Sequence, residues 1–243
     1  KDHLNRMVSD FEALGYNTTY KVLNGINFGV PQKRERVFIV SVREDVINDI
    51  GMPWMLLSSL YPEPANEEPT IQQAIGDLQL NNMNRIEAEE LCERMKKSAK
   101  YKWLKRLTKN PDKVVSVGDD VVGPWYEKVI AHRKKMGKSI PDTKHSFYQS
   151  RRVPWNQASH TLSEQGLASL SVHLHPLEDR IFTPLEAAAI MTLPTDYVNP
   201  SEDIYERGKR IGLMVAPLML SHLASSIYKT ILEPWNEVHN SKD

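Results

Sequence analysis

The chain has 243 residues, with 40% hydrophobic and 26% charged, enough for one large globular domain or two smaller ones. Zero net charge argues against a uniformly basic nucleic-acid binder, and the single cysteine, Cys92, excludes a disulfide framework or a zinc site of several cysteines. No run is read as approaching the roughly 18–20 apolar residues of a membrane span, and Lys1 to Leu4 lack the apolar core of a signal peptide. A cytoplasmic protein without membrane contact is expected. The chain opens without an initiating Met and runs straight into helix-like sequence. It reads as cut from something longer, as one piece of a two-piece protein, or simply as trimmed.

In chain order, Leu4, Met7, Val8, Phe11 and Leu14 have helical spacing, and Gly15 is a natural stop. Thr19 to Leu23 reads as a strand, Asn24 to Pro31 as a Gly/Asn-rich loop, and Arg36 to Val42 as a second strand. That second strand is apolar on both faces, which predicts a place inside a sheet. Two strands do not make a stable sheet, so further strands must come from elsewhere. Pro53, Pro62, Pro64 and Pro69 mark an irregular crossing, and Thr70 is placed to cap a short helix over 71–78. Residues 86–107 read as one long basic helix with a stripe of Ala88, Cys92, Met95, Ala99, Trp103 and Leu107. No period is visible over 111–178. Two helices close the chain, Pro184 to Met191, with Thr183 and Glu186 as a capping box, and Ala216 to Leu232, with Pro217 in its first turn.

Charge is unevenly distributed. Between Arg94 and Arg152 there are 17 Lys and Arg against 5 Asp and Glu. This suggests a basic face, although a solvated lysine-rich helix surface explains the charge as well. The densest chemistry lies earlier, in Asn27-Phe28-Gly29-Val30-Pro31-Gln32-Lys33-Arg34-Glu35-Arg36. If the strand extends back to Gln32, then Gln32, Arg34 and Arg36 point to one face. Two guanidiniums and an amide at the mouth of a strand suit an oxygen-rich ligand. The pattern alone also fits an edge strand with solvated charges.

Leu14-Gly15-Tyr16, Lys21-Val22-Leu23-Asn24 and Phe28 through Arg36 together resemble the DNA cytosine-5 methyltransferases, whose Gln-x-Arg-x-Arg motif follows a Phe-Gly-Val-Pro loop. The resemblance continues through Thr70 to Leu78, through Arg152 to Thr161, and through His175-Pro176, Arg180, Thr183, Glu186 and Leu193-Pro194, which match the family's ninth motif. Gly212, Val215 and Pro217 resemble the tenth. Residues 81–150 match nothing, as a variable target-recognition region would. There are departures. Ala189, Met191 and Thr192 stand where Arg, Gln and Gly are usual, and Leu213 and Ala216 where Asn and Pro are usual. The family's Gly-rich cofactor loop, Pro-Cys nucleophile and Glu-Asn-Val motif are absent from the chain. Cys92 follows Leu91 on a helix stripe and reads as a packed small hydrophobe.

The resemblance implies an α/β fold, the end of a Rossmann-like S-adenosylmethionine-dependent sheet plus a small mixed target-recognition domain. It divides the chain into 1–78 of the catalytic domain, a target-recognition domain over 79–178, and 179–243 returning to the catalytic domain. It implies a DNA (cytosine-5-)-methyltransferase in restriction-modification, with duplex DNA as substrate and S-adenosylmethionine as cofactor. The missing N-terminal half, in the same polypeptide or a separate subunit, would supply the nucleophile. Arg36 would hold cytosine O2, Arg34 would assist and Gln32 would order the loop. Met214 and Val215 would lie near the cofactor. Lys96, Lys97, Lys100, Arg133, Lys134, Lys135, Arg151 and Arg152 are candidates for DNA contact, the last two with the fork that reads guanine. His173 and His175 lack a third ligand in the sequence and read as structural, so no metal is expected. The competing reading is a non-catalytic DNA-binding or scaffold protein derived from a methyltransferase.

Overall fold

The computed structural model describes residues 2–65, 68–78, 82–97, 101–105, 107–109, 111, 115–116, 131–137, 151–164, 173–197 and 199–240. The chain divides into two compact units. One is Lys1–Val30, Arg34–Glu67 and Val215–Asp243, and the other is Pro31–Lys33 and Glu68–Met214.

The first unit opens with α1 (Asp2–Ala13), whose apolar residues recur every three or four positions although none is buried. Gly15 ends it at φ 83, in the left-handed region that glycine occupies without steric cost. β1 (Tyr16–Asn24) follows. After β2 (Gln32–Lys33), which belongs to the other unit, β3 (Glu35–Arg43) pairs with β1 antiparallel, from Tyr16 opposite Arg43 to Asn24 opposite Glu35. Alternate side chains go to opposite faces. One face carries buried Leu23, Val40 and Val42. The other carries Tyr20, Val22 and Val37, which are 45%, 54% and 51% exposed. Among the described residues β1 is the one partner of β3 and its other edge is unpaired. The buried Tyr61 ties the two strands together, its hydroxyl lying 3.1 Å from the carbonyl oxygens of both Thr19 and Phe38.

α2 (Glu44–Asp49) follows β3 directly. The unit also contains a helix over Pro217–Ile227, with Pro217 in its first turn as predicted, a π-helical turn over Tyr228–Leu232 and a final helix over Glu233–Asn240. Met219 and Leu223 form the buried side of the Pro217 helix. The expectation that no stretch resembles a membrane span is also corrected. Within Ile204–Asn240 an 18-residue window reaches mean hydropathy 1.5, long and apolar enough to cross a bilayer by length and composition, and 28% of it is buried. The backbone there is interrupted, however. One helix ends at Leu213, Met214 and Ala216 are extended with ψ 157 and 122, and the next begins at Pro217. Proline has no amide hydrogen to carry the first ladder through.

In the second unit, α3 (Ile71–Ile75) is capped by Thr70, with Gln73 completing the capping box. α4 (Asn82–Lys97) and α5 (Tyr101–Leu104) occupy the region expected to be one long helix, and residues 98–100 lie outside those described. Of the expected stripe, Ala88 and Met95 are buried, while Cys92 is only half-buried and Leu91 takes the central place. β4 (Val115–Ser116), β5 (Arg151–Arg152) and β7 (His173–Leu174) form a small sheet in the order β4-β5-β7, and β6 (Ser159–His160) pairs with β2 in parallel. α6 (Pro184–Ile190) and α7 (Ile204–Leu213) complete the unit. Leu91, Met95, Leu104, Leu174, Ile181 and Ile204 make one apolar cluster that joins α4, α5, β7 and α7.

Candidate functional site

The Gln32-x-Arg34-x-Arg36 segment is not one continuous strand. Pairing breaks at Arg34, so Gln32 lies on β2 and Arg36 on β3. Burial alternates as a strand face requires all the same. Gln32 and Arg34 are buried and Arg36 is half-buried, while Lys33 and Glu35 are exposed.

The loop before the motif is shaped by its own side chains. Asn24 Oδ1 accepts hydrogen bonds from the amides of Ile26 (3.4 Å) and Arg34 (3.1 Å), and Gly25 N donates to Arg34 O (2.8 Å). Asn24 thus fastens the start of the loop to its end. Gly29 sits at φ 79, where any side chain is strained, and a Cβ there would also press on Leu218 Cδ2 at 3.0 Å. Phe28 and Val30 anchor the loop in the apolar interior.

Arg34 has no exposed surface. Burial, then the nearby charge of Arg36, lowers its guanidinium to about 10, and burial also lowers Arg36. Both remain charged at neutral pH. Arg36 donates from Nη1 to the Glu35 carbonyl (2.7 Å). Two like charges drawn together and partly stripped of water favour any ligand that brings oxygen acceptors or developing negative charge.

Gln32 works within the second unit. Its Oε1 accepts from Leu162 N (3.0 Å) and its Nε2 donates to Met191 Sδ (3.2 Å). Met191, where the family usually has Gln, therefore still receives a hydrogen bond, although a thioether is a weak acceptor. Thr192 follows at φ 56, a left-handed conformation in which a β-branched residue is strained and the family's usual Gly is not.

The residues matching the ninth motif converge on one buried network. Arg180 and Glu186 form a two-pronged pair (Nη1 to Oε2 2.7 Å, Nη2 to Oε1 2.9 Å), and Glu178 takes the other side of the same guanidinium. Glu186 Oε2 also accepts from Thr183 N (2.8 Å), while Thr183 Oγ1 accepts from Glu186 N (3.2 Å), the predicted capping box of α6. His175 lies beside them. Its Nδ1 accepts from the amides of Leu177 and Glu178 (3.2 Å each), and Trp155 packs edge-on to its ring at 5.4 Å. Burial pushes His173 and His175 down to about 4, so both are neutral at physiological pH.

The remaining candidates are scattered. Arg152 must be corrected. It is wholly buried, and its guanidinium is committed to the carbonyl oxygens of His175 (2.5 Å) and Glu178 (2.7 Å) and to Asp179 (2.6 Å). A fork spent in this way is not offered to guanine. Arg151, on the same strand, is partly exposed. Lys96 is exposed and paired with Glu93, and Lys97 is exposed. Lys134 and Lys135 are exposed and Arg133 half-exposed on a helical segment over 131–135. Among the described residues no hydrogen bond or ion pair joins Lys134 or Lys135 to α4. Lys100 lies outside the described residues. Cys92 is half-buried, and burial raises its thiol, opposite to what an activated nucleophile needs.

At the tenth-motif stretch Gly212 is obligatory, because a Cβ would stand 2.5 Å from Glu164 N and 2.6 Å from Ser163 C. Leu213 is 61% and Val215 38% exposed, and Met214 between them is extended. The spacing of the capping box exposed Thr183 and Glu186 in the sequence. The Arg180 pairing and the Asn24 clasp carry no local pattern and emerge only from the fold.

A family model described as C-5 cytosine-specific DNA methylase matches residues 1–229. The type II methyltransferase M.NgoFVII of Neisseria gonorrhoeae is 28% identical over 248 residues, covering 98% of this chain and 57% of that protein. M.XorII of Xanthomonas oryzae pv. oryzae is 25% identical over 257 residues, covering 95% of this chain and 55% of that protein. M.MthTI of Methanothermobacter thermautotrophicus is 47% identical over 73 residues, 30% of this chain and 19% of that protein. The chain thus spans little more than half the length of the relatives it matches end to end. In fold it is similar to a prophage-encoded E. coli protein described as a DNA modification methyltransferase (TM-score 0.53, 15% identity, 95% of this chain and 65% of that one). Matched by the family model from its first residue to the middle of its last helical stretch, the chain belongs to the C-5 cytosine-specific DNA methylases.

Proposed function

We propose that this chain is the C-terminal part of a DNA (cytosine-5-)-methyltransferase of a restriction-modification system, methylating C5 of a flipped cytosine in duplex DNA. The observation that carries the reading is the pair of partly desolvated guanidiniums, Arg34 and Arg36, behind a loop clasped by Asn24. Carbon-5 is a weak nucleophile within a stacked, paired base, so the base is extruded and charge is raised on the ring. Arg36 donates to cytosine O2 and stabilises that charge, Arg34 supports it electrostatically, and Gln32 holds the adjoining loop through Leu162 and Met191. Residues 1–78 belong to the catalytic domain, 79–178 recognise the target, and 179–243 return to the catalytic domain.

The nucleophile and acid come from a completing half, in the same polypeptide or in another subunit. Two features of the first unit support this: α1 has no buried residue, and one face of the β1–β3 pair leaves Tyr20, Val22 and Val37 half-exposed beside a strand edge that is unpaired among the described residues. Apolar surface and free ladder groups together suit added strands and helices. S-adenosylmethionine would supply the methyl group. Of this chain, Met214 and Val215 would lie near it.

The test is methyl transfer from labelled S-adenosylmethionine to mixed-sequence duplex, by the chain with and without that half. Activity is expected only with it, and Arg36→Ala is expected to lower the single-turnover rate by roughly 10²–10³ while leaving DNA affinity nearly unchanged. Equal losses of rate and affinity would make Arg36 an ordinary phosphate contact. The competing non-catalytic reading draws on the Leu213 and Met191 departures, and it requires that no combination transfers methyl.

A further inference from the structure

The basic side chains of the second unit differ in their partners: Arg94, Lys96, Lys109 and Lys209 pair with carboxylates at the surface. Arg152, Arg180 and Arg207 are bound to carboxylates in the interior. Lys33, Arg151 and His160 reach the surface, and among the described residues none of them has a carboxylate within ion-pair distance. The parallel ladder between β2 and β6 sets Gln32 opposite Ser159 and Lys33 opposite His160. Residues opposed in this way share a face on strands about 4.8 Å apart. Burial follows the pairing, with Gln32 and Ser159 inside, Lys33 exposed and His160 half-exposed.

The ladder is fastened at two further points: Ser159 N donates to Pro31 O (2.9 Å) and Thr161 Oγ1 to Lys33 O (2.6 Å), while within β6 Ser159 Oγ donates to His160 O (2.7 Å). The lysine and histidine are therefore presented on a backbone that cannot slip. Among the described residues, the charged and titratable groups that interact electrostatically with His160 are Lys33 on β2, Arg151 on β5 and His173 on β7. Burial first, then the charges of Arg151 and Lys33, holds the His160 imidazole below its ordinary range. His173, opposite Arg151 in the β5–β7 ladder, is buried.

We propose that Lys33, Arg151 and His160 form a binding site for a backbone phosphate of duplex DNA. This rests on the DNA-substrate reading above and adds a site to it. Lys33 and His160 are held on one face and the charge of Arg151 acts on the same imidazole, so the three repel one another, and a phosphate turns that repulsion into attraction. Burial and the neighbouring charges disfavour the charged imidazole while the site is empty, and an arriving anion favours it, so binding draws a proton onto the ring. Affinity therefore rises as pH falls, by at most tenfold per pH unit for one proton.

The experiment is anisotropy of a fluorescent mixed-sequence duplex titrated with the full chain at pH 6 and pH 8 over a salt series. It compares wild type, Lys33→Ala, Arg151→Ala and His160→Gln with Lys229→Ala, an exposed lysine of the other unit, as control. The His160 ring resonances are followed by NMR with duplex and, separately, with inorganic phosphate. Wild type is expected to bind about three- to tenfold more tightly at pH 6 than at pH 8, and His160→Gln is expected to flatten that difference. Lys33→Ala and Arg151→Ala should each lower the salt slope by about one. If the duplex binds but all three variants match Lys229→Ala, the site is overturned and the DNA reading stands. A His160 response to inorganic phosphate but not to duplex makes it a free-anion site and overturns the DNA assignment. If wild type fails to bind duplex at either pH, the DNA reading falls and the site with it.

Discussion

Glu186→Ala is expected to be among the most damaging single substitutions in the second unit. The glutamate is 4% exposed and meets a guanidinium with no exposed surface through two short bonds of 2.7 and 2.9 Å. Removing it leaves Arg180 charged in the interior with the Ile181 carbonyl and one carboxylate, Glu178, which is about half in solvent. Breaking a buried pair in this way typically costs about 3–5 kcal/mol. The same carboxylate caps α6 through Thr183 N, and a lost cap adds about 1 kcal/mol. The two are not additive because they share one side chain, so about 4 kcal/mol is the working figure, a large part of the roughly 5–15 kcal/mol that holds a domain together. The assay is urea unfolding followed by tryptophan fluorescence. With a slope of about 2–3 kcal/mol/M, the midpoint should fall by about 1.3–2 M. Glu186→Gln keeps the shape and one acceptor and should lose about half as much. A shift under about 0.3 M for Glu186→Ala would refute the claim that this pair supports the unit.

Acid should weaken the fold before its carboxylates titrate. His173 and His175 are held at about 4 in the folded chain against about 6.5 unfolded, so the unfolded state binds more protons between those values. Stability is full above pH 6.5 and falls toward pH 4, by on the order of 1–2 kcal/mol per histidine at pH 5, and a flat profile of unfolding midpoint over this range would contradict it. Thr192→Gly should raise stability by about 1 kcal/mol by removing a β-branched residue from φ 56, and a lowered midpoint would show that Thr192 contributes more through its contacts than it costs. Exchanging residues 79–178 for the corresponding region of an enzyme with a different target should transfer the methylated sequence, read by mapping modified sites. An unchanged target would remove recognition from this region.

The helix starts at Thr70 and Thr183, the stop at Gly15 and the strands either side of the Gly29 loop were legible in the sequence because each depends on residues within a few positions of one another. So was the cytosine-5 methylase family, carried by the run from Phe28 to Arg36. Burial was not legible. Arg151 and Arg152 are adjacent and chemically identical, yet one reaches solvent and the other is walled in by His175, Glu178 and Asp179, more than twenty positions away. Nor could the sequence assign partners. Lys33 meets His160 across 127 positions, and Gln32 meets Met191 across 159. Local spacing sets which face of an element a side chain leaves from. Which charge then faces water, a carboxylate or another charge depends on contacts that close only when distant segments pack, and for this chain that decides which of its basic residues are free to meet a phosphate.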